Sequence, residues 1–396
     1  MQVGCSSHGW ISPGTGVLNG EDQGGAELWL ITVGQLLESG LPEKSVEPCG
    51  MKKMRTFMPW DTGIRDMHIV QLWVFVQSSK KFAHLVKIFI SMERSNHTVS
   101  EFILLGFTSD PIMQLVLFVM FLIMYTLTVL GNSTLIVLIC NDSRLHTPMY
   151  FFIGNLSFLD LWLSTVYTPK ILMICISEDK SISFAGCVAQ FFFSAGLDYS
   201  ECYLLAAMAY DRYVAISKPL LYSQAMSIKL CAFFVAASYM GGFINSSIIT
   251  KKTFTFDFCN DNVIDDFFCD LLPLVQLACG GKDGYQALMY FLLTSNVMMP
   301  IALILASYLF IIGTILRIRS AQGRLKAFST CSSHLISVTL YYGSILYIYS
   351  RPRTSYSLDT DKIVSTFYTV VFPMLNPLIY SLRNKDVKEA LNKLFK

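Results

Sequence analysis

The chain has 396 residues, of which 53% are hydrophobic and only 15% charged, with a net charge of +2. A soluble domain carries about 25% charged residues, so much of this surface must meet a solvent other than water. The net charge by itself says nothing about nucleic acid, and no basic patch with interleaved aromatics appears. The six histidines show no metal-ligand spacing, and no Gly-rich phosphate loop or nucleophile elbow occurs, so no catalytic residue, cofactor or metal is assigned.

Residues 1–91 are rich in Gly and Ser, their charges balance, and no signal-peptide pattern opens them. Their apolar runs at 69–76 and 82–90 are too short to span a bilayer. This segment is expected to be poorly ordered. Met92 reads as the true start, which would leave residues 1–91 outside the mature protein, and residues 92–112 read as a short outer segment carrying the sequon at Asn96.

Seven apolar segments come next, at 113–140, 149–176, 187–213, 228–250, 285–316, 327–350 and 363–382. A bilayer core about 30 Å thick needs about 20 apolar residues per helix, and each segment is long enough. The runs are continuous rather than alternating, and in hydrocarbon a helix satisfies its own backbone, so helices are expected. The expected fold is an all-α membrane protein, a seven-transmembrane helix bundle over 113–382. Residues 383–396 form a cytoplasmic tail, in which Val387, Leu391, Leu394 and Phe395 recur at the spacing of a short amphipathic helix on the inner membrane surface.

One set of loops holds thirteen Lys and Arg, among them Arg144, Lys218, Arg317, Arg324 and Lys388, whereas the long loop before the fifth segment is acidic. Positive charge stays inside, so the N-terminus is placed outside and the C-terminus in the cytoplasm. This orientation puts Asn132, Asn141, Asn155 and Asn245 out of reach of glycosylation and leaves Asn96 as the glycan site. Seven spans with no repeat between halves weigh against a transporter. Cys187, Cys259, Cys269 and Cys279 lie on the oxidising side and read as a disulfide framework with three possible pairings.

The third segment ends in Met208-Ala209-Tyr210-Asp211-Arg212-Tyr213-Val214-Ala215-Ile216. An Asp–Arg pair at a helix mouth is costly unless paired, and an arginine held by its neighbouring carboxylate can be released to open a docking groove. In the seventh segment, Pro377 removes a backbone donor and should kink the helix, with Asn376 as polar hinge and Tyr380 one turn below. Asn132, Asp160 and Glu201 are polar groups at membrane depth. With Asn376 they are expected to form a polar core, in which Asp160 and Glu201 could share a proton or hold a sodium ion.

Four long stretches, in the correct order, carry a resemblance over about 92–396. They are Leu145-His146-Thr147-Pro148-Met149-Tyr150-Phe151-Phe152, the 208–216 run, Lys326-Ala327-Phe328-Ser329-Thr330-Cys331-Ser332-Ser333-His334-Leu335 and the 373–384 run. Together they resemble the rhodopsin-type G-protein-coupled receptors, and among these the olfactory receptors. The resemblance implies that Arg212 and its neighbours couple to a stimulatory olfactory-type G protein and raise cyclic AMP. It implies that Cys187 pairs with Cys269 and Cys259 with Cys279, and that Tyr342 acts near the base of an odorant pocket. Ser217 stands where the family has a cysteine, and residues 1–91 are foreign to the family, which suggests that an upstream segment has been joined to the receptor.

The pocket for a small volatile odorant is expected between the outer halves of the third, fifth, sixth and seventh helices. Helical spacing selects Phe191, Ser194, Ala195, Asp198 and Tyr199 on the third; Met289, Leu292 and Asn296 on the fifth; Tyr342, Ile345, Leu346 and Tyr349 on the sixth; and Thr366 and Thr369 on the seventh. Asp198 is the most informative, since a carboxylate at that depth needs a partner or a proton; it is expected to bond a polar group of the odorant. The rival class is a membrane protein that does not signal, a transporter or a receptor-like chain that fails to couple.

Overall fold

A computed structural model describes residues 99–258, 262–280, 284–350, 358–381 and 384–394. The 1–91 segment, Asn96 and Cys259 lie outside the described residues. Seven long helices form the bundle: α1 (Pro111–Asn141), α2 (Pro148–Ile176), α3 (Phe184–Ser217), α4 (Ile228–Phe254), α5 (Tyr285–Arg317), α6 (Ala321–Ser350) and α7 (residues 358–381). A shorter α8 spans Lys385–Leu394. The helices exceed the apolar runs by one to six residues at most ends, because caps and polar first turns lie outside the hydrophobic signal. Asp110 caps α1 by accepting from the Ile112 N–H at 3.0 Å, with Pro111 in the first turn. Ser183 and Ser227 cap α3 and α4 in the same way.

Among the described residues, α1, α2, α4, α5 and the 362–381 part of α7 are long and apolar enough to cross a membrane by themselves. The helices α3 and α6 are long enough but more polar. Polarity is tolerated where side chains face the bundle interior, and α3 buries Glu201, Asp211 and Arg212 as well as Leu197, Leu204 and Leu205. The outward faces carry bare apolar side chains such as Leu115, Phe233, Leu309 and Phe310, each more than half exposed, as a lipid-facing surface requires.

The helices α3 and α4 pack closely because Gly196 and Gly242 face each other across the crossing. A Cβ on Gly242 would come 2.5 Å from the Gly196 carbonyl oxygen and closer still to the Ser200 hydroxyl. Small residues at such a crossing let backbones approach. Gly242→Ala should therefore force the helices apart at a cost of about 1–3 kcal/mol. A lower melting temperature and less receptor at the surface are expected; unchanged values would mean that the crossing yields freely.

A small sheet, which no apolar run announces, covers one end. Its strands are β1 (Glu101–Leu104), β2 (Ser181–Ser183) and β3 (Val263–Ile264), in the order β2-β1-β3. The pairing of β1 is antiparallel with β2 and parallel with β3. The Cys187–Cys269 disulfide joins the first turns of α3 to the long loop at the same end, the outer one. Cys279 is disulfide-bonded as well.

At the opposite, inner end, α8 turns its buried Val387 and Ala390 against the bundle. Arg144 bonds Asp142 at 2.8 Å and Glu389 of α8 at 2.6 Å, and Lys393 lies 3.6 Å from Asp142. Hydrogen bonds from the Arg144 guanidinium hold the Asp142 carboxyl well below the usual range.

Candidate functional site

A cavity of about 90 Å³ opens among the outer halves of α2, α3, α5, α6 and α7. One face of α3 supplies Phe191, Ser194, Ala195, Asp198, Tyr199 and Cys202. Met289 and Leu292 come from α5, and Ile345 from α6. Eight of the residues selected by helical spacing thus meet at one cavity.

The others lie elsewhere. Asn296 is fully buried but turned away, accepting from the Tyr203 hydroxyl and from Asn245 Nδ2, both at 2.8 Å. Leu346 is 38% exposed on the outside of the bundle. Tyr342 is buried below the cavity, where its hydroxyl donates to the Cys202 carbonyl at 2.9 Å; Tyr341 takes its place on the wall. Thr366 and Thr369 spend their hydroxyls on the carbonyls of Lys362 and Ser365, one turn back on their own helix. The side chain of Tyr349 lies outside the described residues.

Residues that helical spacing does not select complete the wall: Tyr167 from α2, Tyr368 from α7, Leu293 and Val297 from α5, and Asp270 and Leu271 from the long loop. The loop is held over the cavity by several bonds. Beyond the disulfide, the Cys269 N–H donates to Gln190 Oε1 at 2.9 Å. Lys362 of α7, 7% exposed, reaches Asp265 Oδ1 at 2.6 Å and the Gly106 carbonyl at 3.0 Å.

Two loop carboxyls are perturbed. Burial pushes Asp270 up to about 6 and Asp266 up to about 8. A raised carboxyl value means that the stabilising contribution is full below the unfolded value near 3.8 and is lost as pH rises through the folded one. The loop should therefore weaken as pH climbs from about 4 to about 6, with Asp266 extending the loss to about 8. Asp270→Asn should melt higher than the parent near neutral pH and should show a shallower decline from about pH 4. An identical pH slope in the two proteins would refute this origin.

Below the cavity α3 and α6 are laced together. The Tyr341 hydroxyl donates to the Asp198 carbonyl at 2.9 Å, and that of Tyr342 to the Cys202 carbonyl. Nearer the inner end, His334 Nε2 lies 3.1 Å from the Leu205 carbonyl and Nδ1 lies 2.8 Å from the Tyr308 hydroxyl. A carbonyl only accepts, so Nε2 donates; in the neutral ring Nδ1 then accepts from Tyr308. His334 stands in the run leading into the sixth helix, but nothing in its spacing signals this role.

The polar core lies beside this ladder. Asn376 donates to both Asp160 oxygens at 3.0 and 3.2 Å, and Ser337 reaches Asn376 Oδ1 at 3.4 Å. Asn132 is next to this group but bonds the carbonyls of Thr128 and Pro373 instead. Glu201, 1% exposed, has no partner for Oε1 among the described residues. No trio of metal-ligating side chains converges among the described residues. Pro377 lies inside α7, and Tyr380 is buried one turn below it.

At the inner end Arg212 and Asp211 are 5% and 1% exposed. Asp211 Oδ2 accepts from Arg212 Nε at 3.0 Å and also from its Nη2, and Asp211 Oδ1 accepts from the Tyr222 hydroxyl at 2.7 Å. The arginine is thus clamped by its own neighbour, and Tyr222 orients the clamp. Tyr213 faces α5, with its ring 5.8 Å from that of Phe310.

A family model described as olfactory receptor matches residues 121–396. Olfactory receptor 9G19 of Mus musculus is 82% identical over 305 residues, which cover 77% of this chain and 100% of the relative. Olfactory receptor 9G1 of Homo sapiens is 81% identical over 303 residues, covering 76% of this chain and 99% of the relative. Olfactory receptor 9G4 of Homo sapiens is 58% identical over 305 residues, covering 77% and 93%.

Proposed function

The chain belongs to the olfactory receptor family, and from that footing we propose that it binds a small volatile odorant in the cavity around Asp198 and activates a stimulatory, olfactory-type G protein, raising cyclic AMP. It is a multi-pass membrane protein and not an enzyme; its outer end carries the disulfide and its inner end the Asp211–Arg212 clamp.

One observation carries the reading. The cavity stands directly on the hydrogen bonds that tie α3 to α6, since Asp198 contributes its side chain to the wall and its carbonyl to Tyr341. An occupant that displaces Asp198 or Tyr341 acts on the first rung of that ladder. Ligand shifts a population only by binding one arrangement more tightly. The differential contact is therefore expected at this rung, followed by release of His334 from Leu205, rearrangement about Pro377 and opening of the clamp on Arg212. The polar core around Asp160 and Asn376 supplies the second arrangement, because its bonds join α2 to α7 where that helix is interrupted by proline.

A cyclic AMP reporter in cells expressing the full chain, with surface receptor counted by antibody, tests this against a broad panel of volatile compounds. Dose-dependent cyclic AMP is expected for at least one compound. A response in another second messenger without cyclic AMP would refute the stimulatory coupling, and silence from receptor confirmed at the surface would refute the receptor reading.

A further inference from the structure

Asp198 on α3 and Asp270 on the outer loop are carboxylates from different elements that share one cavity, and among its described lining residues none is basic. The nearby buried lysine, Lys362, is already engaged by Asp265 and the Gly106 carbonyl. The local donors do little for Asp198. Tyr341 spends its hydroxyl on the Asp198 backbone carbonyl, Tyr167 reaches Asp198 Oδ2 only at 3.4 Å, and Oδ1 has no partner among the described residues. A carboxylate removed from water without a counter-charge is expensive, and in a membrane bundle such a group marks an ion or substrate path, a proton relay or the counter-ion of a ligand.

The rest of the wall suits a cation as well. Tyr167, Tyr199, Tyr341, Tyr368 and Phe191 surround the space, and the faces of aromatic rings attract positive charge. Size narrows the choice. A dry cavity of about 150 Å³ accommodates benzene, whereas this one is about 90 Å³. The occupant should have only a few heavy atoms. A carboxylic acid of the same size would meet two acidic groups and no base, and an alcohol could bond one oxygen without supplying a counter-charge to either.

We propose that the ligand of this receptor is a compact protonated amine, whose ammonium group is held by Asp198 with Asp270 as a second, outer counter-charge and whose short apolar part lies among Met289, Leu292 and Ile345. This rests on the reading of the cavity as the odorant site.

The test compares butylamine, butanol and butyric acid on the full chain with a cyclic AMP reporter, corrected for surface receptor. Butylamine should be about tenfold more potent than butanol, and butyric acid inactive, because a charge-assisted bond is replaced by a neutral one or by repulsion. Asp198→Asn should raise the half-maximal concentration of butylamine by about tenfold and leave that of butanol within about threefold. Asp198→Glu, which keeps the charge, should preserve the preference for the amine and guards against a folding defect in the asparagine variant. Asp270→Asn should produce a smaller shift in the same direction. Equal potency of butanol, activation by butyric acid, or an unchanged butylamine response in Asp198→Asn overturns the amine assignment. Response to other neutral volatiles with none to amines overturns it too and leaves the odorant reading intact. Silence toward every compound from receptor at the surface overturns both.

Discussion

Arg212→Ala is expected to abolish cyclic AMP production, with at least about a hundredfold loss of response per surface receptor, since several charge-assisted contacts to the partner vanish with the guanidinium. In the resting structure this arginine is buried and tied to Asp211, which Tyr222 also holds. Removing one partner of a buried pair costs about 3–5 kcal/mol because the other charge is left uncompensated, so surface expression should fall as well. Arg212→Lys separates the two effects. It keeps the charge that Asp211 needs but lacks the planar fork, so it should restore expression more than signalling. A full response from Arg212→Ala would mean that the partner docks without this residue.

Cys269→Ser is expected to have the largest effect on folding. The bond it removes closes a loop across 82 residues and anchors the segment that carries Asp270 and Leu271 over the cavity. Loss of a native disulfide costs about 2–5 kcal/mol. Most of the variant should be retained inside the cell, and receptor that reaches the surface should respond weakly, because the loop wall of the cavity is no longer held. Cys187→Ser should match it, and the double variant should be no worse than either single one, since both remove the same bond. Surface counts by antibody measure this; parent-like expression of Cys269→Ser would show that the Lys362–Asp265 pair and the β1–β3 pairing hold the loop without it.

The helices were legible because a bilayer imposes a length on apolar runs, and only their caps and polar end turns extended beyond the signal. The three strands were not, since β1, β2 and β3 are two to four residues long and pair across distant parts of the chain. The α3 face of the cavity was legible because α3 is regular and its period places Phe191, Ser194, Ala195, Asp198 and Tyr199 together. On α5 the spacing held for Met289 and Leu292 but not for Asn296, and on α7 it held for neither Thr366 nor Thr369. Each helix contains a π-helical turn, Thr294–Met298 in α5 and Phe367–Val371 in α7. Such a turn inserts a residue and rotates the next stretch of helix by about 100° relative to an unbroken one. Asn296 falls inside the first turn and meets Tyr203 and Asn245; Tyr368 and Thr369 fall inside the second, where Tyr368 meets the cavity, whereas Thr366 precedes it and bonds the Lys362 carbonyl. On α6 the face was displaced by a single position, so that Tyr341 lines the cavity while Tyr342 lies beneath it. Spacing alone cannot fix a helix's rotation to better than one residue. Asp270 was out of reach for another reason: a loop residue joins a site only through the fold, here through the disulfide.

The most direct measurement is the concentration–response curve of the strongest agonist on the full chain and on Ala195→Trp, with surface receptor counted in both. Ala195 lies on the cavity wall, and an indole there would occupy much of a space of about 90 Å³. If the agonist acts within this cavity, the curve should move to concentrations at least about tenfold higher, as expected when buried contacts of more than a kilocalorie are lost, or collapse altogether at parent-like surface levels. An unchanged curve would place the agonist elsewhere and contradict the assignment of the cavity as the odorant site.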